Sequence, residues 1–282
     1  MNNVRVIPRL DIKGPNLVKG IHLEGLRVLG KPEDFARYYY EYGADELFFQ
    51  DVVASLYERN SLHDIISRTA RNMFIPLTVG GGLRTIDDIK QVLRAGADKV
   101  SLNTAAIRNP QLVRDAAQKF GSSTIVVAIE AIKQPDGRYL AFVDNGREET
   151  GVEVVTWAKK AEELGAGEIL ITSVDREGTA EGFDLNLIKK VADVVHIPVI
   201  AHGGAGSLQN IAEAITIGNA SALAIASIFH YASMGKVLAD SDHEEGNTTF
   251  LRSGKRFGII NPSDITQVKE YLKISHIPCR PI

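Results

Sequence analysis

The chain holds a single cysteine, Cys279, among 282 residues. An intrachain disulfide is therefore excluded, and no CxxC or HExxH spacing offers a zinc site. No apolar run approaches the roughly 18 residues that a membrane-spanning helix needs. The opening Met1-Asn2-Asn3-Val4-Arg5 lacks the apolar core of a secretory signal, so a cytoplasmic protein is expected. Charge of one sign is also scarce: 32 Lys and Arg stand against 35 Asp and Glu, a net charge of −3. So even a balance gives no general pull toward nucleic acid or an anionic membrane. What is present is ordinary for a globular enzyme, with 44% hydrophobic and 24% charged residues. The length fits two average domains or one α/β barrel of about 250 residues.

Short β-branched runs alternate with amphipathic stretches along the chain. Strands are expected at Val4–Asp11, Glu46–Val52, Ile75–Gly80, Lys99–Asn103, Thr124–Glu130, Glu168–Val174, Ile197–Ala201 and Ser221–Ala226. Their apolar residues are continuous rather than alternating, as in strands buried on both faces of a parallel sheet. Helical periodicity covers Pro32–Tyr42, Ser61–Asn72, Thr85–Ala95, Pro110–Phe120, Val152–Leu164, Asp184–Val194, Leu208–Ile217 and Asp264–Ile274. Asn109-Pro110, and Thr85 followed by Asp87 and Asp88, are start signals; Gly43, Gly96, Gly165 and Gly218 are stops. Eight strands alternating with eight helices predict a single (β/α)8 TIM barrel.

The pattern also repeats. Ile75-Pro76-Leu77-Thr78-Val79-Gly80-Gly81-Gly82 corresponds to Ile197-Pro198-Val199-Ile200-Ala201-His202-Gly203-Gly204, 122 residues later, and Gly43-Ala44-Asp45-Glu46-Leu47 to Gly165-Ala166-Gly167-Glu168-Ile169. The period is too long for a solenoid, and two fused half-barrels, about 4–120 and 121–231, account for it. Tyr139–Val143 before Asn145-Gly146 signals a short hairpin. An insertion is expected over 232–262, with a loop at Asp240–Asn247 and an added edge strand at Lys255–Ile260, before a last helix at 264–274.

Active sites of such barrels lie at the C-terminal ends of the strands. Asp11, Asp51, Glu130, Asp175 and Glu177 fall there. Asp11 and Glu130 close strands on opposite sides of the barrel, where paired carboxylates do acid and base work or, alternatively, cap helices and pair with Lys13 and Lys19. Gly80-Gly81-Gly82 and Gly203-Gly204 follow the third and seventh strands, and Asn103-Thr104 and Ala226-Ser227 the fourth and eighth. Two such backbone cradles suit two phosphates on one elongated substrate. Lys13, Gly14, Lys19 and Gly20 lie in a long segment, Ile12–Gly30, a candidate lid. His202 and His230 are candidate proton carriers or structural histidines. At the opposite ends of the strands Arg5, Glu46, Lys99 and Glu168 are placed to form a paired ring, a plug or a gate.

These residues resemble the cyclase subunit of imidazole glycerol phosphate synthase, the HisF family. The likeness is carried by Ile7-Pro8-Arg9-Leu10-Asp11-Ile12-Lys13, Val18-Lys19-Gly20, Asp51-Val52-Val53-Ala54-Ser55, Gly96-Ala97-Asp98-Lys99-Val100-Ser101-Leu102-Asn103-Thr104, Asp175-Arg176-Glu177-Gly178-Thr179 and Gly203-Gly204-Ala205-Gly206. The resemblance implies a substrate with a phosphate at each end, bound by Lys19, Gly81, Gly82, Asn103, Thr104, Glu177, Gly178, Gly203, Gly204, Ala226 and Ser227. It also implies a separate glutaminase subunit docked at the N-terminal face of the barrel. Ammonia from that subunit would pass the gate of Arg5, Glu46, Lys99 and Glu168, with Asp98 coupling the subunits. Asp11 and Glu130 would then serve ring closure and cleavage, with no metal or organic cofactor. The chain departs from the family pattern at Glu130 and Glu177, where Asp is usual, at Arg9 for Cys, and at His202 for Ser. These departures touch the chemical end, so two further readings stay open: an ammonia-conducting partner in sugar amidation, and a non-catalytic scaffold that activates a glutaminase.

Overall fold

The structure, a computed structural model, describes residues 3–54, 62–239 and 260–282. In chain order its strands are β1 (Arg5–Lys13), β2 (Asn16–Ile21), β3 (Glu24–Gly30), β4 (Leu47–Asp51), β5 (Leu77–Gly80), β6 (Lys99–Leu102), β7 (Ile125–Lys133), β8 (Tyr139–Val143), β9 (Glu148–Glu153), β10 (Glu168–Ser173), β11 (Val199–His202) and β12 (Ala222–Ile225). Eight of them, β1, β4, β5, β6, β7, β10, β11 and β12, pair in parallel and close into a barrel through β7–β10 and β12–β1. Every residue of β10 and β12 is buried, which is why these strands read as unbroken apolar runs.

The described helices are α1 (Pro32–Glu41), α2 (His63–Ala70), α3 (Ile86–Ala95), α4 (Thr104–Arg108), α5 (Gln111–Phe120), α6 (Val154–Glu163), α7 (Leu185–Ala192), α8 (Leu208–Thr216), α9 (Ser227–Ala239) and α10 (Ile265–Ile274). Their starts follow local chemistry. Thr85 and Asp88 form a reciprocal capping box on α3, and Asp264 and Gln267 another on α10. Gly96 ends α3 at φ +122°, a conformation that side chains resist. Among the described residues no helix is long and apolar enough to cross a membrane.

Side chains alternate along each strand between the helices and the barrel interior. Ile7, Phe48, Val126, Leu170, Ile200, Ala222 and Ala224 form a small apolar cluster inside the ring, separate from the large core under the helices. On β1 the same inward face carries Arg5 below Ile7, and Arg9 and Asp11 above it. The interior is thus apolar in the middle and polar at both ends.

Three expectations need correction. Ile12–Gly30 is not an open loop: β1 continues to Lys13 and pairs with β2, which pairs with β3, all antiparallel. No helix is predicted for the segment directly after the eighth strand, whereas α9 runs through Ala239; Asp240–Asn247 and most of Lys255–Ile260 lie outside the described residues. The hairpin after the fifth strand has a second arm, β9, so the next helix starts at Val154 rather than Val152.

The foot of the barrel is tied to the C-terminal tail by Asp45, whose carboxylate accepts from Lys269 Nζ at 2.7 Å, Arg280 Nε at 2.8 Å and the Val6 amide at 2.8 Å. Lys269 is 3% exposed, so its charge depends on that partner. Asp45→Ala should therefore destabilise the fold by about 3 kcal/mol, the usual cost of orphaning a buried ion. Urea unfolding of the two proteins measures it.

Candidate active site

At the N-terminal end of the barrel four inward side chains close a ring. Arg5 bonds Glu46 through Nη1 at 2.8 Å and Glu168 through Nη2 at 2.9 Å. Lys99 Nζ lies 3.1 Å from Glu46 and 3.3 Å from Glu168. Thr78, a member the sequence reading missed, donates its hydroxyl to Glu46. Its register opposite Lys99 on the neighbouring strand was the available signal. Asp98 sits beside this ring but is exposed; it accepts from the Leu77 amide at 2.9 Å.

At the other end Asp11 is buried and Glu130 half-buried, on strands that face each other across the ring. Arg9 acts on both but bonds only Asp11, which also feels Lys19. Arg9 Nε donates to Asp11 Oδ1 at 2.8 Å. Burial pushes the Asp11 carboxyl up, but Arg9 and Lys19 together outweigh it and hold the group below its ordinary value. Glu130 accepts the Gly146 amide at 2.8 Å, and burial outweighs that bond, the Arg9 charge and the Asn103 side chain to raise it to about 7. The β8–β9 turn that supplies Gly146 is pinned over the mouth, with Asn145 donating to the Val52 carbonyl and Arg108 bonding Asp144 at 2.8 Å.

Two cavities flank this pair. One of about 240 Å³ is lined by Arg9, Gly81, Gly82, Asn103, Thr104 and Glu130 among others. A second, of about 310 Å³, is lined by Lys19, Gly178, Ser227 and Tyr231 among others. Gly81 has φ +102°, and a Cβ there would stand 2.3 Å from the Asp51 carbonyl, so the turn that offers its backbone to the cavity requires glycine. Ser227 opens α9, whose thirteen residues aim their amide end at the second cavity.

Other expected site residues are placed differently. Glu177 forms an ion pair with Lys19 and accepts the Leu23 amide at 2.9 Å, so it fastens the β2–β3 hairpin to the loop after β10. Gly203, Gly204 and Ala226 line neither cavity; Gly203 and Gly204 pack against the carbonyls of Ser173 and Gly182. His202 donates its Nδ1–H to the Ala224 carbonyl, 2.9 Å away, and burial with the Arg9 guanidinium pushes it down to about 3. His230 bonds Tyr39 at 2.6 Å and is lowered to about 3 by burial. Both rings are therefore neutral near pH 7, each with one ring N–H. Among the described residues no three His, Cys, Asp or Glu side chains converge as a metal site.

A closed eight-stranded α/β barrel, with carboxylates and glycine turns gathered at its C-terminal mouth, defines a barrel protein of the small-molecule enzyme class. More particularly, the chain belongs to the histidine biosynthesis protein family, whose model matches residues 5–235. It is 59% identical over 209 residues to imidazole glycerol phosphate synthase subunit HisF of Legionella pneumophila, covering 74% of this chain and 99% of that one. To the subunit of the same name from Alkaliphilus metalliredigens (strain QYMF) it is 48% identical over 227 residues, 80% of this chain and 90% of the other.

The raised Glu130 makes a signed prediction. The native carboxyl keeps a proton that the unfolded chain, titrating near 4.5, releases. Its stabilisation is complete below pH 4.5 and is lost as pH rises to about 7. Glu130→Gln stays neutral throughout, so it should match wild type at pH 4.5 and exceed it by about 3 kcal/mol at pH 8. Urea titrations at the two pH values test this.

Proposed function

We propose that this chain is the cyclase subunit of a glutamine-dependent imidazole glycerol phosphate synthase in histidine biosynthesis. In this reading it uses ammonia to convert phosphoribulosyl-formimino-aminoimidazole carboxamide ribotide to imidazole glycerol phosphate and aminoimidazole carboxamide ribotide. The observation that carries it is the alignment of three layers on one axis: a closed charged ring, an apolar interior, and a mouth with two differently titrating carboxylates. Neutral ammonia crosses an apolar passage that ammonium cannot enter without losing its hydration.

At the mouth one phosphate sits on Gly81, Gly82, Asn103 and Thr104, and the other on Lys19, Gly178 and Ser227. Gly203, Gly204, Ala226 and Glu177 support the second site from behind. Asp11, kept ionised by its cations, takes the proton that the incoming nitrogen must lose. Glu130, protonated in part near pH 7, supplies one to the leaving nitrogen. The division follows from the environments, since a base must be ionised and an acid protonated at the same pH.

The partner glutaminase docks on the N-terminal face. Large apolar side chains are exposed there: Phe74 at 83%, Ile274 at 76%, Ile282 at 63% and Ile217 at 53%. Phe74 leads into β5, Ile217 and Ile274 end helices, Ile282 packs at Gly43 before β4, and Phe74 lines a hollow with Asp98. Exposed apolar side chains concentrated on one end are the mark of a covered surface. The two half-barrels are supported by matched detail: Gly81 packs on Asp51 as Gly203 packs on Ser173, each pair shifted by 122 residues, and Glu46 and Glu168 of the ring share that offset. A second reading, delivery of ammonia to a separate sugar-modifying synthetase, draws on one observation, the Arg9 side chain standing between the carboxylates. Purified protein given the phosphoribulosyl substrate and ammonium salt separates the two: turnover supports the cyclase, and inertness beside an active glutaminase supports delivery.

Lys99→Ala breaks one side of the ring while Arg5 still links the two glutamates. Glutamine-driven product formation should fall about 10-fold or more, as a defect in one positioned transfer step does, while turnover with ammonium salt stays near wild type. Equal activity from glutamine in the variant and wild type would remove the gate.

A further inference from the structure

Arg9 stands in the mouth, and in the reaction above it serves only to keep Asp11 ionised. It is 5% exposed and points inward from β1, on the face that carries Ile7 and Asp11. Among the described residues its side chain makes one hydrogen bond, from Nε to Asp11. The terminal nitrogens Nη1 and Nη2 have no such partner there, yet neither is among the buried polar atoms cut off from accessible space. They therefore keep open surface, and the cavity that Arg9 lines is the one shared with Gly81, Gly82, Asn103 and Glu130.

The guanidinium is also held in place. Asp11 fixes its Nε edge, and its Cζ lies 5.8 Å from the centre of the Phe48 ring. What remains is a planar pair of N–H donors, preoriented and partly desolvated, which is the geometry that grips an oxygen acceptor. Its charge is not cancelled twice over, because Glu130 titrates near 7 and Asp11 is its one paired anion. Asp11 in turn feels Lys19 of the second cavity. Through Asp11, Arg9 of the first cavity is linked to Lys19 of the second, so a molecule with one end in each brings its middle near the Arg9–Asp11 pair.

We propose that Arg9 is a substrate-binding residue that holds a carbonyl-type oxygen on the middle of the bis-phosphate substrate and so decides which substrates the mouth accepts. The inference rests on the functional reading above. A molecule with phosphates at the same spacing but a cationic or purely hydrocarbon centre leaves these donors unpaired and is rejected, since a buried charged donor without an acceptor is costly.

Titration calorimetry of the phosphoribulosyl substrate, without ammonia so that nothing turns over, tests it on wild type, Arg9→Lys and Arg9→Gln. Inorganic phosphate is the second probe, because it reports the two cradles and the integrity of the fold. Arg9→Lys keeps a cation beside Asp11 but loses the planar fork. Substrate affinity should fall about 10- to 100-fold in both variants, the worth of a charge-assisted hydrogen bond, while phosphate binding is unchanged. Partial return of affinity to Arg9→Ala on adding free guanidinium would support the same assignment. Arg9→Lys and Arg9→Gln binding substrate within about twofold of wild type would overturn it. A wild-type protein that binds phosphate but not the substrate overturns the functional reading and this inference with it.

Discussion

Charges buried in the foot of a barrel persist only when each finds its opposite, and the ring of Arg5, Glu46, Lys99 and Glu168 meets that condition with both cations touching both anions. Much else depends on it. Glu46 is 1% exposed and would be a severe liability alone, so β4, β6, β1 and β10 must stay in the register that brings the four together. Thr78 satisfies the remaining oxygen of Glu46 from β5. The apolar cluster directly above can remain dry because the ring is closed below it. A paired ring is also a reversible obstacle, since moving one lysine leaves Arg5 to hold both glutamates.

The same rule gives a different outcome at the mouth. Two carboxylates face each other, but Arg9 bonds only one of them. Asp11 gains Arg9 directly and Lys19 nearby, and falls; Glu130 has the Gly146 amide, the Arg9 charge and the Asn103 side chain, which do not match its burial, and rises to about 7. Two hairpins, β2–β3 from the first strand and β8–β9 from the fifth, carry the groups that finish this environment: Lys19 on one and Gly146 on the other.

Local physics made the barrel legible. Strands buried on both faces leave continuous apolar runs, and helices between them carry caps such as Thr85 and stops such as Gly96. The inward set is also readable, because residues two apart on a strand share a face; Arg9 and Asp11 are such a pair. What the sequence hides is long-range. Lys19 and Glu177 are 158 positions apart, and nothing local to either announces the ion pair that holds the first hairpin down. Glycine and lysine in Ile12–Gly30 suggest a loop, but β1 supplies backbone partners that override that composition. Helix α9 escapes notice because its apolar residues lie on several sides, without the one-faced period of its neighbours.

The central claim is that the barrel carries nitrogen from a glutaminase at its foot to the carboxylates at its mouth. Glutamine labelled with ¹⁵N in the amide, supplied to the complex together with an excess of unlabelled ammonium, tests it directly by mass spectrometry of the imidazole product. An enclosed passage predicts product that carries the glutamine label almost undiluted. Product labelled only in proportion to ¹⁵N in the bulk ammonium would mean that the nitrogen arrives through solvent, and would contradict the account.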